Sequence, residues 1–269
     1  MRVLGRRWSR RRVGAVAAVV AVAAVAVTVT AGLVSGGAPA GAVAGGTVVT
    51  QGSYRFAAKF TFSGVPAPDG TRYNSACSGA LIAPQWVISA GHCFHDAARR
   101  RINGRPPYTN SAVIIGRTDV RVGSGVLRSI VDVRQSPTND IALVKLNAPV
   151  AGITPVALPK GAPKVGEVVR LTGYGATGST NPVPSLVLHT GQFTVTAISA
   201  TVVGVTGRAP ARNTSACLYD SGAPYFRDIH PATTLVSVES TGPACPHAQQ
   251  ETTSRVDTVL AWITQQIRR

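Results

Sequence analysis

The chain has 269 residues, with 27 Lys and Arg against 11 Asp and Glu and a net charge of +16. That length is ample for one large domain with a substantial core. The charge raises a nucleic-acid reading, but the basic residues are scattered beyond the N-terminus, and the one run, Arg99-Arg100-Arg101, reads as a solvated loop face; no nucleic-acid partner is expected.

Residues 1–42 read as an export signal. Arg2, Arg6, Arg7, Arg10, Arg11 and Arg12 form a basic start, Val13 to Val34 is an Ala/Val-rich apolar run, and Ala40-Gly41-Ala42 is an A-x-A cleavage signature. The run is also long enough to span a bilayer; its alanine content and the signature behind it favour a cleaved signal, a secreted product and no stable membrane association afterwards. The leader holds 6 of the 27 basic residues and none of the acidic ones, so residues 43–269 keep a net charge near +10.

Short apolar and β-branched runs follow: Tyr54–Phe62, Gly79–Ile82, Trp86–Ser89, Ala112–Ile115, Gly125–Val133, Ile141–Leu146, Val168–Thr172, Val187–Ala197, Thr201–Val205 and Thr234–Val238. Gly, Pro, Asn and Ser punctuate them, which is the rhythm of an all-β sandwich or barrel protein. The stretch Ala148–Lys164, with Pro149, Pro155, Pro159 and Pro163, reads as a linker. In Arg255–Arg269 the pattern changes: Val256, Val259, Leu260, Ile263 and Ile267 recur at helical spacing. Cys77, Cys93, Cys217 and Cys245 fit an oxidising compartment and allow three pairings. No C-x-x-C or clustered His/Cys spacing is present, and His95, His189, His230 and His247 show no ligand-like spacing, so neither a metal nor a cofactor is expected.

Three separated segments each carry one reactive side chain. His92 lies in Ser89-Ala90-Gly91-His92-Cys93, Asp140 in Asn139-Asp140-Ile141-Ala142-Leu143, and Ser221 in Asp220-Ser221-Gly222-Ala223-Pro224. A serine hydroxyl is a poor nucleophile until an imidazole can take its proton, and the imidazole needs a carboxylate to fix its tautomer. Leu171-Thr172-Gly173-Tyr174-Gly175 adds a Gly-aromatic-Gly turn. On these segments, and on the order His, Asp, Ser, the chain from about Val43 onward resembles the chymotrypsin/trypsin family of serine endopeptidases, most of all its secreted bacterial members.

The resemblance implies two packed six-stranded antiparallel β-barrels with a C-terminal α-helix on the second. The first barrel would occupy about 43–150 and the second, with the helix, about 160–269. It implies a monomer acting on protein or peptide substrates and open to protein protease inhibitors, with disulfides Cys77–Cys93 and Cys217–Cys245. His92, Asp140 and Ser221 would form the catalytic triad, with Ser237 donating to Asp140. The backbone N–H groups of Tyr219 and Ser221 would form the oxyanion hole. Tyr219 and Ala223 replace two glycines of the usual Gly-Asp-Ser-Gly-Gly-Pro, and a side chain at Tyr219 narrows the backbone's range. A catalytically silent, protease-like binding module is therefore the alternative.

Two further assignments rest on the same resemblance. Val43-Ala44-Gly45-Gly46 is similar to the family's Ile-Val-Gly-Gly start, so cleavage after Ala42 would expose an ammonium on Val43 for an ion pair with Asp220; cleavage after Ala40 is the rival. Ser215 would form the floor of the specificity pocket, pointing to an apolar or aromatic side chain before the cut. Glu239 and Glu251 would stand near the same pocket, where a carboxylate would attract a basic side chain. Glu239 reads equally as a solvated rim charge.

Overall fold

The structure is a computed structural model and describes residues 43–123, 125–229 and 232–268. The export-signal reading of residues 1–42, His230 and Arg269 lie outside the described residues. Among the described residues no helix is long and apolar enough to cross a membrane.

Among the described residues thirteen strands follow in order: β1 Thr47–Val48, β2 Ala57–Pro66, β3 Arg72–Ala83, β4 Trp86–Ser89, β5 Asn110–Ile115, β6 Val126–Gln135, β7 Ala142–Leu146, β8 Val168–Gly173, β9 His189–Ile198, β10 Val202–Ala209, β11 Pro224–Ile229, β12 Ala232–Thr241 and β13 Glu251–Arg255. Helix α1 spans Leu260–Ile267. Strands β2-β3-β4-β7-β6-β5 close one antiparallel barrel. Strands β8-β9-β10-β13-β12-β11 close the second, because β8 pairs with both β9 and β11. The expected two-barrel architecture is present. Closure removes the free edges that an open sheet would expose, and Phe60, Leu81, Val87, Val113 and Val144, which the register places on one face, are buried in its core.

Three features depart from expectation. β1 lies inside the range assigned to the first barrel, yet it pairs with β9 of the second, and Val43 is buried in the second barrel's core with Leu171, Phe193 and Tyr225. Residues 43–48 therefore lie on the second barrel. The C-terminal helix packs against the first barrel as well as its own: Ile263 shares a core with Ile130 and Val133 of β6, and Arg134 donates to the Gln266 carbonyl at 3.0 Å. Strands β11 and β13 arise where no apolar run was apparent. β13 is Glu-Thr-Thr-Ser-Arg, and it is buried because its polar side chains are hydrogen-bonded inward.

Candidate active site

His92 sits in a short 3-10 turn, Gly91–Cys93, directly after β4. That turn is held by the Cys77–Cys93 disulfide, which ties it to β3. A Cβ on Gly91 would lie 2.5 Å from Gln135 Oε1, 2.8 Å from Arg101 Nη1 and 2.9 Å from Asp140 Oδ1, all ends of side chains that would have to shift to admit it. Asp140 comes from the loop between β6 and β7. Its Oδ1 accepts the His92 backbone N–H at 2.8 Å, and its Oδ2 lies 2.6 Å from His92 Nδ1. The carboxylate therefore fixes both the backbone and the ring of His92, an arrangement that would hold the proton on Nδ1 and leave Nε2 free to act as a base.

Ser240 Oγ donates to Asp140 Oδ2 at 2.7 Å. This corrects the assignment to Ser237, whose hydroxyl instead accepts from Thr253 Oγ1 at 2.7 Å inside the second barrel. The equivalence is three residues further along β12, so Thr241-Gly242 follow Ser240 along the cleft. Burial raises the Asp140 pKa. The hydrogen bond and charge of His92, together with the Ser240 hydroxyl, outweigh burial and hold it below the ordinary carboxylate range.

Ser221 lies on a tight turn between Cys217 and β11. The Asp220 N–H donates to the Cys217 carbonyl at 2.9 Å and the Ala223 N–H to the Asp220 carbonyl at 2.7 Å. The turn is pinned to the first barrel by Ser78 N–H on the Ser221 carbonyl at 2.9 Å. Gly222 adopts φ +84°, and a Cβ there would fall 2.1 Å from Ser89 Oγ, so only glycine lets the two barrels meet this closely. Ser221 and His92 line the same cavity.

Tyr219 adopts φ +74°, the backbone conformation a glycine would supply. Its carbonyl accepts from Ser78 Oγ at 3.1 Å, and its hydroxyl reaches the Pro182 carbonyl at 3.4 Å. Both ends of the residue are thus anchored in the turned-in conformation. Among the described residues the N–H groups of Tyr219 and Ser221 donate to no protein acceptor, whereas those of Asp220, Gly222 and Ala223 are all committed. Two adjacent uncommitted donors beside a serine hydroxyl are what an anionic oxygen requires.

Asp220 is fully buried. Its carboxylate accepts from Gly175 N–H at 2.8 Å, from Cys217 N–H at 3.1 Å and from the Val43 backbone nitrogen. Burial pushes its pKa up to about 7 despite these donors. Val43 is also fully buried, so the structure brings this expected pair together.

The specificity pocket differs from expectation at two residues. A cavity of about 250 Å³ opens beside Ser221, lined among others by Ala216, Leu218, Glu239, Ser240 and Glu251, with Cys217–Cys245 in its wall. Ser215 is buried beneath it and does not line it; its Oγ accepts the His247 N–H at 3.3 Å. Glu239 is no rim charge. It is 3% exposed and accepts the Tyr225 hydroxyl at 2.9 Å. Glu251 is 1% exposed, and its Oε1 accepts the Ala216 N–H at 2.8 Å. Sequence reasoning missed Ser240, Tyr225 and His247; the Ser-x-Gly step of Ser240-Thr241-Gly242 was the available signal for the first.

Residues 43–263 match the family model described as Trypsin. A snake venom serine protease, rhinocerase 4 of Bitis rhinoceros, is 31% identical over 56% of this chain and 64% of its own length. Serine protease 1 of Homo sapiens is 33% identical over 38% of this chain and 41% of its own, and that of Rattus norvegicus 34% over 39% and 44%. The matched segments thus span less than two thirds of each of these relatives, and all three are vertebrate proteins. With the family match covering both barrels, the chain belongs to the trypsin family of chymotrypsin-like serine proteases.

Proposed function

We propose that this protein is a secreted serine endopeptidase that cleaves peptide bonds through an acyl-enzyme. The observation that carries this is the pairing of His92 Nδ1 with Asp140 at 2.6 Å on the wall of the cavity that Ser221 also lines, beside two uncommitted N–H donors. Ser221 Oγ would bond to the substrate carbonyl carbon while its proton passes to His92 Nε2. The carbonyl oxygen, now anionic, would take hydrogen bonds from the Tyr219 and Ser221 N–H groups. Collapse would expel the amine, which leaves with the proton from His92, and water would repeat the sequence on the ester. This sequence of steps is the family's known mechanism, carried over to these residues.

Export and activation would be a single cut after Ala42. The Val43 nitrogen already lies at Asp220; as an ammonium it would supply the cation that this buried carboxylate lacks. The secreted location rests on the leader sequence and the two disulfides. The likeness to bacterial members and the monomeric state rest on the sequence resemblance alone. The silent-module reading drew on Tyr219, and the positive φ of that residue supports the enzyme instead.

The test is intact mass before and after a fluorophosphonate. A single adduct on Ser221, absent in His92→Ala, supports the protease; no adduct on folded protein beginning at Val43 favours the binding module.

A further inference from the structure

Two cavities meet at Ser221, and they differ in the triad residues they hold. The one walled by Cys217–Cys245 is lined by Ser221 without His92. The other, of about 210 Å³, is lined by Ser221, His92 and the Cys77–Cys93 disulfide. An amine expelled from the tetrahedral intermediate takes its proton from His92 Nε2. The chain behind the cut therefore leaves over His92, through this second cavity. Its wall continues through Phe62, Val65, Tyr73, His95 and Arg99. Among the described residues that line it none is a carboxylate, and Arg99 is its one permanent cation.

The guanidinium of Arg99 is held at one end and open at the other. Nη1 donates to the Tyr73 hydroxyl at 2.9 Å and lies 3.1 Å from His95 Nε2. His95 Nδ1 lies 2.8 Å from the Asp96 carbonyl, an arrangement that would keep the ring proton on Nδ1 and leave Nε2 to accept. The Tyr73 ring centre lies 5.4 Å from the guanidinium carbon, a cation–π contact that steadies the fork. The backbone is tied down as well. Arg99 stands at φ +61°, where its N–H donates to the Asp96 carbonyl at 3.1 Å and the Asp96 N–H donates to the Arg100 carbonyl at 2.9 Å. The Asp96 carboxylate is taken by Arg100, at 2.8 Å. Among the described residues no carboxylate pairs with Arg99, and its Nε and Nη2 donate to no protein acceptor.

Resting on the protease reading above, we propose that Arg99 is a specificity residue for the leaving side of the substrate, selecting Asp or Glu within the first two residues after the cut. The open Nε–Nη2 edge is the side of a guanidinium that takes a carboxylate through two parallel hydrogen bonds. Phe62, Val65 and Tyr73 give the stem of such a side chain an apolar wall. A neutral polar side chain enters the same cavity without the ion pair, and Lys or Arg meets a like charge. Arg99 is exposed, so water competes for the pair and the preference is modest, about three- to fivefold for Glu over Gln.

Partitioning of an acyl-enzyme reads the leaving side alone. One ester substrate acylates Ser221, and dipeptide amides carrying Glu, Gln or Lys at their first or second position compete with water for the acyl group. At one of these positions Glu is expected to capture about three to five times more acyl group than Gln, and Lys less than Gln. The Glu/Gln ratio should fall to about one in Arg99→Gln, and in the wild type at about 1 M salt. In Arg99→Glu the order should reverse, with Lys ahead of Gln, which a merely bracing role for Arg99 would not produce. Equal capture of Glu and Gln by the wild type at both positions, or a ratio unchanged in Arg99→Gln, overturns the inference. Binding of hexapeptides that differ only in Glu or Gln at these positions, measured on the Ser221→Ala chain, needs no turnover. Tighter binding of the Glu peptide, lost in Arg99→Gln, supports the inference. Fluorophosphonate labelling with no Glu preference in either assay overturns it and leaves the protease standing. A Glu preference in binding without labelling does the reverse.

Discussion

The hydroxyl of Ser240 and Nδ1 of His92 meet on one oxygen, Asp140 Oδ2, at 2.7 and 2.6 Å. Asp140 Oδ1 is meanwhile occupied by the His92 N–H at 2.8 Å. Three donors thus define one orientation of the carboxylate, and through it the tautomer of the base. Ser240→Ala removes one donor and leaves the other two. A hydrogen bond to a charged group contributes about 1.5–3 kcal/mol, and part of that loss will fall on the transition state. The expected result is a drop in kcat of roughly tenfold with KM little changed. Ser237→Ala should leave kcat alone, since its hydroxyl serves only Thr253. Equal effects of the two substitutions would refute the reassignment.

Tyr219 holds φ +74° against the preference of every residue with a side chain. Glycine relieves this strain, while a β-branched residue aggravates it. Tyr219→Gly should keep fluorophosphonate labelling at the wild-type rate. Tyr219→Val should lose about 1–3 kcal/mol of stability in urea unfolding. Its labelling rate should fall by as much as 10²-fold, the effect of misplacing one oxyanion donor. Slower labelling of the glycine variant would mean that the anchors of the tyrosine, at Ser78 and Pro182, shape the hole more than its backbone angle does.

The barrels were legible because alternating β-branched runs between turn residues leave few other solutions, and His92, Asp140 and Ser221 stood in distinctive local contexts. What escaped has a common cause. β13 reads as a polar loop, since Glu251 and Thr253 are buried through hydrogen bonds and not through hydrophobicity. β12 carries two serines, and sequence spacing leaves open which of them, Ser237 or Ser240, reaches Asp140; a bulge between Glu239 and Thr241 falls at that point. Glu239 looked solvated because its buried partners, Tyr225 and Glu251, are distant in sequence or poorly patterned.

The buried carboxyls make stability depend on pH in an unusual direction. The folded-state pKa of Asp220 is raised to about 7, above the ~3.9 of an unfolded aspartate. Between those values the folded state binds more protons than the unfolded one, so stability falls as pH rises. Glu251, raised to about 8, extends the same trend. A free ammonium on Val43 would favour the charged form of Asp220 and remove its part. Urea unfolding of protein beginning at Val43, compared with protein carrying two extra residues before it, should show the extended form losing stability more steeply from pH 5 to 7. The limit is about 1.4 kcal/mol per pH unit for each group. Parallel curves would argue against the Val43–Asp220 pair.

Lys59 gives a prediction of opposite sign. It lies on β2, is 4% exposed, donates to the Ser185 carbonyl and lies 5.8 Å from the centre of the Tyr174 ring. No carboxylate pairs with it among the described residues. Burial lowers its pKa to about 8, below the ~10.4 of an unfolded lysine. Between these values the unfolded chain binds more protons, so this residue makes the fold more stable as pH rises from 8 to 10. At pH 7 its buried charge costs about 1–3 kcal/mol, reduced by whatever solvent reaches the ammonium. Lys59→Met keeps the packing of the stem and removes the charge, at the expense of the Ser185 contact. The wild type should therefore gain on Lys59→Met by about 1–2 kcal/mol between pH 7 and pH 10, measured by urea unfolding at each pH. A pH-independent difference would mean that Lys59 is paired or solvated in solution, and that the interior beside Tyr174 is wetter than the packing around it implies.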